Sequence, residues 1–300
     1  MTAAAPKADR VRVTKPDKEL FPEDGLTKAD LVDYYRAVAR AMLPHLRGRP
    51  LTLECYPDGH EGESFFRKQM PEHFPEWIRR VEVAKEDGSL TMPLCDNAAT
   101  LAYLANQAAI TLHPWLSRAD RPDHPDRLVF DLDPPDSDFG LVRWTAFTLR
   151  DLLAEIGLQP LVMTTGSRGL HVMLPLDRSE DFDAVRSFAR DVADELAGQH
   201  PDRLTTEPRK DKRRGRLYLD TQRNAYAQTG VAPYAVRARP HAPVATPLRW
   251  EELADASVGP RHWTLRTVPD RLADEGDPWA RPGRYRRSLG AAQRRLDALR

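Results

Sequence analysis

An α+β fold organised around a βαββαβ unit is what these 300 residues predict. Three observations carry that prediction. Four short segments, near 127–133, 161–165, 170–174 and 216–220, have the apolar alternation of strands. Two stretches between them carry apolar residues at helical spacing. The strand alternation also sends acids and a histidine to one sheet face and leucines to the other.

The first strand, Arg127 to Pro134, reads Arg-Leu-Val-Phe-Asp-Leu-Asp-Pro, and Pro134 and Pro135 end it. Asp131 and Asp133 share a face, about 6.6 Å apart at Cα for a rise of roughly 3.3 Å per residue. Two carboxylates this close repel, which suits a site for divalent cations; a solvated strand end with two acids is the plainer reading of the pair alone. Leu141, Val142, Leu149, Leu152, Leu153 and Ile156 then form a helical stripe that stops at Gly157. Leu161 to Thr165 is the second strand, and Gly166-Ser167-Arg168-Gly169 turns into a third, Leu170 to Leu174, closed by Pro175. A second helix starts near Ser179, read as its N-cap, and runs through Phe182, Val185, Ala189, Val192 and Leu196 to Gly198. The fourth strand is Arg216 to Asp220.

This order is that of the split βαβ unit used by RNA-recognition domains, with the first and third strands central and the fourth beside the first. Leu128, Phe130, Leu132, Leu170, Val172, Leu174, Leu217 and Leu219 then form one face to receive the helices. Asp131, Asp133, His171, Tyr218 and Asp220 fall on the other. Three acids from two strands converging there strengthen the metal reading well beyond a lone Asp-x-Asp.

Composition limits the alternatives. Lysine plus arginine equals aspartate plus glutamate, 45 each, so any attraction for nucleic acid must come from distribution. Arg203, Arg209, Lys210, Lys212, Arg213, Arg214 and Arg216 cluster before Asp220, a run that is either a phosphate-binding rim or a solvated loop. No apolar run nears the roughly 20 residues of a membrane span, and no signal-peptide pattern opens the chain, so a cytoplasmic, nucleoid-associated location is expected. Cys55 and Cys95 lack metal or disulfide spacing and read as buried small hydrophobes.

The expected organisation is a flexible N-terminus over residues 1–10, an N-terminal α/β subdomain over 11–126, the catalytic unit and a following strand over 127–250, and a helical extension over 251–300. Val11 to Pro22 is strand and turn. Thr27 N-caps a helix using Leu31, Tyr34, Tyr35, Val38 and Met42, ending near Pro44. Lys28 at its start gains nothing from the helix dipole, so it has an anionic partner or is a plain surface lysine. Leu51 to Tyr56 is a strand with a turn at Pro57-Asp58-Gly59. Phe65 and Phe66 either pack in the core or leave a ring for a base. Lys85-Glu86-Asp87-Gly88 matches the K-x-D-G pattern of nucleotidyl ligases but reads as a hairpin turn between Val81–Ala84 and Leu90–Met92. Asp96 caps a helix with Leu101, Leu104, Ala105 and Ala108, which ends near His113. Val231 to Arg239 is a strand, and short helices follow around Leu253, Arg271 and Leu296.

Six stretches together resemble the polymerase domain of bacterial DNA ligase D, in the archaeo-eukaryotic primase superfamily. They are Pro16-Asp17-Lys18 with Leu26-Thr27-Lys28; Tyr56 to Gly59; Leu112-His113 through Arg118; Val129 to Pro134; Thr165 to His171; and Ala232-Pro233-Tyr234 to Arg239. The resemblance spans about Val11 to Leu253 and implies an archaeo-eukaryotic primase-like fold. It also implies a template-directed nucleotidyltransferase of end joining that favours ribonucleotides and uses two Mn2+ or Mg2+ ions. On matching positions, Asp131, Asp133 and Asp220 would hold the metals. His113, Thr165, Ser167, Arg168, His171 and Arg237 would contact the nucleotide. Lys18 and Lys28 would bind a DNA 5′-phosphate, and Phe65 and Phe66 would stack at the template. Gapped or overhanging 5′-phosphorylated DNA, NTPs or dNTPs, Ku and a separate ATP-dependent ligase are the implied partners of what resembles a stand-alone form. Thr165 replaces the usual serine, Arg168 the usual lysine, and Cys55 a common basic residue. Amides of the Gly166 to Gly169 turn are read as receivers of phosphate oxygens alongside Arg168 and His171. A metal-dependent phosphodiesterase and a non-catalytic nucleic-acid-binding module are the competing classes.

Overall fold

The computed structural model describes residues 5–85, 87–136 and 138–299. Residues 1–4 of the expected flexible terminus and Glu86 of the expected hairpin turn lie outside the described residues. The chain divides into two compact units that are not contiguous in sequence. The first takes residues up to 120 together with 231–246 and 263–277; the second takes 121–230, 247–262 and 278–300.

In the first unit, Glu19–Phe21 (β1) pairs antiparallel with Leu26–Thr27 (β2) and leads into Lys28–Leu46 (α1). Thr27 and Asp30 form a reciprocal capping box, which satisfies two of the orphan amides at the helix start. The helix runs two residues past Pro44. Pro44 costs an amide hydrogen bond and crowds the preceding turn, but Leu43, His45 and Leu46 are buried and hold the last turn in place. Leu51–Cys55 (β3) is the centre of a three-stranded antiparallel sheet, flanked by Phe65–Arg67 (β4) and, beyond a hairpin of Arg80–Lys85 (β5) and Gly88–Pro93 (β6) and the helix Ala98–Asn106 (α2), by Ala109–Pro114 (β7). The short Ser117–Arg118 (β8) follows.

Several expectations are corrected here. His113 sits on β7, not at a helix end: Ala109–Pro114 is a largely buried segment whose strand form comes from pairing with β3. Asn97 caps α2, because Asp96 is taken by Arg79 and by the Gly48 amide. Neither Phe65 nor Phe66 enters the core; they are 43% and 62% exposed. Residues 8–10 form a 3-10 turn held by Arg36, which donates to the carbonyls of Ala8 and Val11. Val231–Arg239 is not a regular strand. Tyr234 has a φ of +68°, and the segment's backbone is bound by the side chains of Tyr34, Tyr35 and Thr111, which fold it into this unit. The helix Val268–Glu275 also belongs to this unit, packed on α1.

The second unit opens with Arg121–Pro125 (β9) and contains the predicted βαββαβ elements: Arg127–Asp133 (β10), Phe139–Glu155 (α3), Leu161–Thr164 (β11), Leu170–Pro175 (β12), Phe182–Gln199 (α4) and, after a short Leu204–Thr205 (β13), Leu217–Asp220 (β14). With Pro247–Leu248 (β15) the sheet order is β13-β14-β10-β12-β11-β15. The first and third predicted strands are central and the fourth lies beside the first. Leu128, Phe130, Leu132, Val172, Leu174, Leu217 and Leu219 are buried, and α3 and α4 pack on the sheet. Asp181 caps α4 by accepting from the Ala184 amide, while Ser179, the predicted cap, donates to Asp177. The helices Trp250–Ala254 (α5) and Gly290–Leu299 complete the unit.

Among the described residues, no helix is long and apolar enough to cross a membrane.

Candidate active site

Strand register puts Asp131 directly opposite both His171 of β12 and Asp220 of β14, and Asp133 opposite Tyr218. Residues opposite one another share a face, with Cβ atoms about 4.5–5.5 Å apart. The side chains of the predicted constellation therefore share the sheet face away from the leucines.

Asp131 is buried. Burial alone would push its carboxyl up, but the charges of His171 and Arg223 outweigh that and hold it low. Arg223 Nε donates to Asp131 Oδ2 at 3.3 Å. His171 Nε2 stands 3.5 Å from Oδ1, an ion-pair distance too long for a strong hydrogen bond. Oδ1 is left as a buried oxygen with no hydrogen-bond partner. Asp133 and Asp220 shift the opposite way: burial and the negative charge of Asp131 both push their carboxyls up. The Gln222 amide and the guanidinium groups of Arg223 and Arg213 partly offset this at Asp220, and Arg168, His171 and Arg223 do so at Asp133.

Among the described residues, no three His, Cys, Asp or Glu side chains stand close enough to enclose an ion as they are placed. The donor chemistry nevertheless fits a hard divalent cation. The face offers carboxylate oxygens in register, one of them orphaned, and two further acids whose charged forms burial and the neighbouring Asp131 charge disfavour.

The burial and charge that raise these acids set a measurable sign. An acid whose folded pKa is raised contributes stability through its protonated form, lost as pH rises through the folded value, so at neutral pH ionised Asp220 costs stability. Asp220→Asn keeps an acceptor for the Gln222 amide, now 2.7 Å from Oδ1, and removes the charge. We expect its melting temperature in EDTA to rise by roughly 1–3 °C, and added Mn2+ to stabilise the unsubstituted protein but not the variant. A lower melting temperature in thermal-shift measurements contradicts this reading of the face.

The turn from β11 to β12 is built around Thr165. Its hydroxyl donates to the Gly169 carbonyl and accepts from the amides of Ser167 and Gly169. Two amides expected to face phosphate are thus used inside the turn, and Gly166 supplies the left-handed residue it needs, at φ +64°. Gly169 approaches β10 so closely that an added Cβ would lie 2.1 Å from the Leu132 carbonyl oxygen. This brings the positive charge of Arg168 to bear on Asp133. Arg261 Nε donates to the Ser167 carbonyl at 2.8 Å and fixes the turn from outside. In the basic loop, Arg213 lies over the Tyr218 ring and, like Arg216, donates to carbonyls of its own segment.

In the first unit, Lys28 is a buried residue, 6% exposed, whose Nζ donates to Thr14 Oγ1. Burial and the charges of Lys18 and Lys15 push its pKa down. Its amide donates to the Lys18 carbonyl, and the Lys18 ammonium meets Asp58 at 2.7 Å. The surface-lysine reading of Lys28 does not survive that burial. His113 stands 3.0 Å from Glu54 and edge-on to the exposed Phe66 ring. Arg237 is half-buried, and its charge reaches Glu54.

Sequence reading missed Arg223, Glu54, Arg261 and Asn224, whose side chain clamps both backbone groups of Val129. A signal existed for Glu54, an acid alternating with Leu51, Leu53 and Cys55. Arg261 is remote from its partner in sequence and left none.

The family model for the LigD primase-polymerase domain matches residues 27–279. The multifunctional non-homologous end joining protein LigD of Mycolicibacterium smegmatis is 37% identical over 276 residues, 90% of this chain and 35% of that protein. The bifunctional non-homologous end joining protein LigD of Bacillus subtilis is 32% identical over 277 residues, 91% of this chain and 44% of that protein. The chain thus spans between about a third and a half of these relatives. The polymerase domain of Mycobacterium tuberculosis ligase D, solved in complex with DNA, superposes with a TM-score of 0.85 at 38% identity, covering 90% of this chain and 96% of that one. Common sequence and common architecture over nine-tenths of its length make this protein a member of the LigD primase-polymerase domain family.

Proposed function

We propose that the protein is a template-directed nucleotidyltransferase of the primase-polymerase type, adding nucleotides, ribonucleotides by preference, at gaps and 5′-phosphorylated ends during end joining. The observation that carries this reading is the register of Asp131 against Asp220 and His171, with Asp133 two residues on. Family membership supports it, as does the DNA bound to the M. tuberculosis relative.

Asp131, Asp133 and Asp220 would hold two Mg2+ or Mn2+ ions, which supply activation of a primer 3′-hydroxyl and stabilise charge on the triphosphate and departing pyrophosphate. Arg168, presented by the rigid Thr165 turn, is placed to draw phosphate oxygens toward the acidic face. His171, 3.5 Å from Asp131, would be able to contact a phosphate were that carboxylate engaged by a cation. Arg223, bonded to Asp131 in this structure, would likewise give up that contact were cations held there. Thr165 orders the turn, and its hydroxyl chemistry matches the serine it replaces. Phe65 and Phe66 present apolar faces of a size suited to stacking on template bases, and Arg67 lies over the Phe65 ring. His113 and Arg237 are assigned to the incoming nucleotide by the resemblance.

Lys18 and Lys28 bind the downstream 5′-phosphate in this reading. Three lysine charges next to one another repel, and a phosphate relieves that repulsion.

The deciding experiment is extension of a primer across a gapped duplex with NTPs or dNTPs, in Mn2+ or Mg2+, with a 5′-phosphate or 5′-hydroxyl downstream. Template-matched addition is expected, stronger with the 5′-phosphate, and Lys28→Ala should erase about tenfold of that preference while leaving extension on the 5′-hydroxyl substrate unchanged. Degradation of the primer without added nucleotide would instead identify a phosphodiesterase.

A further inference from the structure

Glu54 and His113 face each other on a part of the molecule remote in sequence from the three aspartates. Thr52 lies opposite His113 and Glu54 opposite both Thr111 and Phe66, so Glu54 is the diagonal neighbour of His113 on one face of the three-stranded sheet. Their side chains are 15% and 14% exposed, and Glu54 Oε2 stands 3.0 Å from His113 Nε2. The Tyr56 hydroxyl donates to the other carboxylate oxygen at 2.7 Å. Both oxygens of Glu54 are therefore committed, and its orientation is determined from two sides. Phe66 closes on the imidazole edge-on, with centroids 5.9 Å apart.

Charge follows the same pattern. Burial would push the Glu54 carboxyl up, but hydrogen bonds from His113 and Tyr56 and the charges of His113 and Arg237 bring it down to about 2. Glu54 is thus a full anion across the working pH range. The groups acting on this corner include Glu54, Cys55 and Tyr56 from β3 and its turn, Tyr35 from α1 and Arg237 from the 231–246 segment; Arg67 lies opposite Leu53 and so on the reverse face of the sheet. An anion held this firmly favours the imidazolium form of a histidine bonded to it. An imidazolium donates from both nitrogens, whereas the neutral ring must present an acceptor at one of them.

The geometry points to Glu54 as a positioning residue for phosphate binding at His113: clamped by Tyr56, its carboxylate orients the imidazole through Nε2 and keeps it cationic. The ring then meets a nucleotide phosphate as a charged donor of known direction. This rests on the assignment of His113 to the incoming nucleotide.

The test uses Glu54→Gln in the full chain, with Tyr56→Phe as a milder second variant and Glu54→Asp as the charge-retaining one. Histidine NMR of the protein without nucleotide follows the His113 ring across pH, independent of any activity. Glu54→Gln should lower the pH at which His113 loses its proton by at least one unit, Tyr56→Phe should lower it less, and Glu54→Asp should restore part of it. In primer extension, Glu54→Gln should raise KM for the nucleotide about tenfold at pH 8, with kcat little changed, and the defect should shrink toward pH 6, where the imidazolium re-forms. A His113 titration unmoved by Glu54→Gln overturns the proposal, as does a KM defect of equal size at both pH values. If His113→Ala extends primers with normal KM while the titration shift is seen, the nucleotide assignment fails and the phosphate-binding role falls with it. Unchanged circular dichroism and melting temperature in the same samples separate these outcomes from misfolding.

Discussion

Replacing Asp131 by alanine should lower nucleotide addition by about 10^3-fold or more, measured as single-turnover extension of a gapped duplex, while DNA binding by fluorescence anisotropy stays within a few-fold of normal. The size follows from what the carboxylate is asked to do: charge stabilisation at a divalent-cation site is worth several kcal/mol, and each 1.36 kcal/mol is tenfold in rate. Binding should survive because the DNA contacts proposed for Lys18, Lys28, Phe65 and Phe66 do not involve it. Asp131 is the right residue to remove because it stands opposite both others of its row. It faces His171 and Asp220 in register and receives Arg223, and its charge is a cause of the raised pKa of both Asp133 and Asp220. Asparagine there should behave as alanine does in rate but retain the Arg223 bond. Addition by either variant at more than a tenth of the normal rate would refute the role of this face.

Gly169→Ala should be nearly as damaging, for a steric reason. The added methyl would meet the Leu132 carbonyl oxygen at 2.1 Å and the Leu132 carbonyl carbon at 3.0 Å, and these are backbone atoms of the central strand that cannot swing away. Either the Thr165 turn lifts off β10 or the end of β10 moves. Overpacking of this kind costs about 1–3 kcal/mol, a fall of roughly 2–10 °C in melting temperature for a domain of this size. The rate should suffer more than the stability. Lifting the turn by about 1 Å displaces Arg168 from Asp133, and misplacement on that scale costs on the order of 10^2 in rate. Thermal unfolding and single-turnover extension of the same variant check both halves. Normal extension by a protein of lowered melting temperature would show that the turn's closeness to β10 serves packing alone.

Strand alternation was the most legible signal in the chain. A period of two leaves a side chain no choice of face once one face must be buried, so Leu128, Phe130 and Leu132 on one side oblige Asp131 and Asp133 to the other. The same logic placed His171 and Asp220. Cap positions were less legible. Asp177, Ser179 and Asp181 can each start a helix, and which one does depends on where the preceding strand releases the chain. Asp96 and Asn97 present the same ambiguity, resolved by Arg79 and the Gly48 amide arriving from distant sequence. Val231–Arg239 misled for a related reason. Its alternation is that of a strand, but hydroxyls of Tyr34, Tyr35 and Thr111 take the backbone groups that a neighbouring strand would use. Thr165 turned inward because its hydroxyl was the nearest acceptor for two amides of a four-residue turn.

By itself the sequence determined the four-strand, two-helix order of the second unit and the side of the sheet on which Asp131, Asp133, His171 and Asp220 stand, because these follow from local periodicity. Only the tertiary structure decided that Arg223 meets Asp131, that Glu54, clamped by Tyr56, meets His113, and that Gly169 must lack a side chain. Those are meetings between segments up to 92 residues apart. Periodicity along one segment carries no information about which other segment will be packed against it.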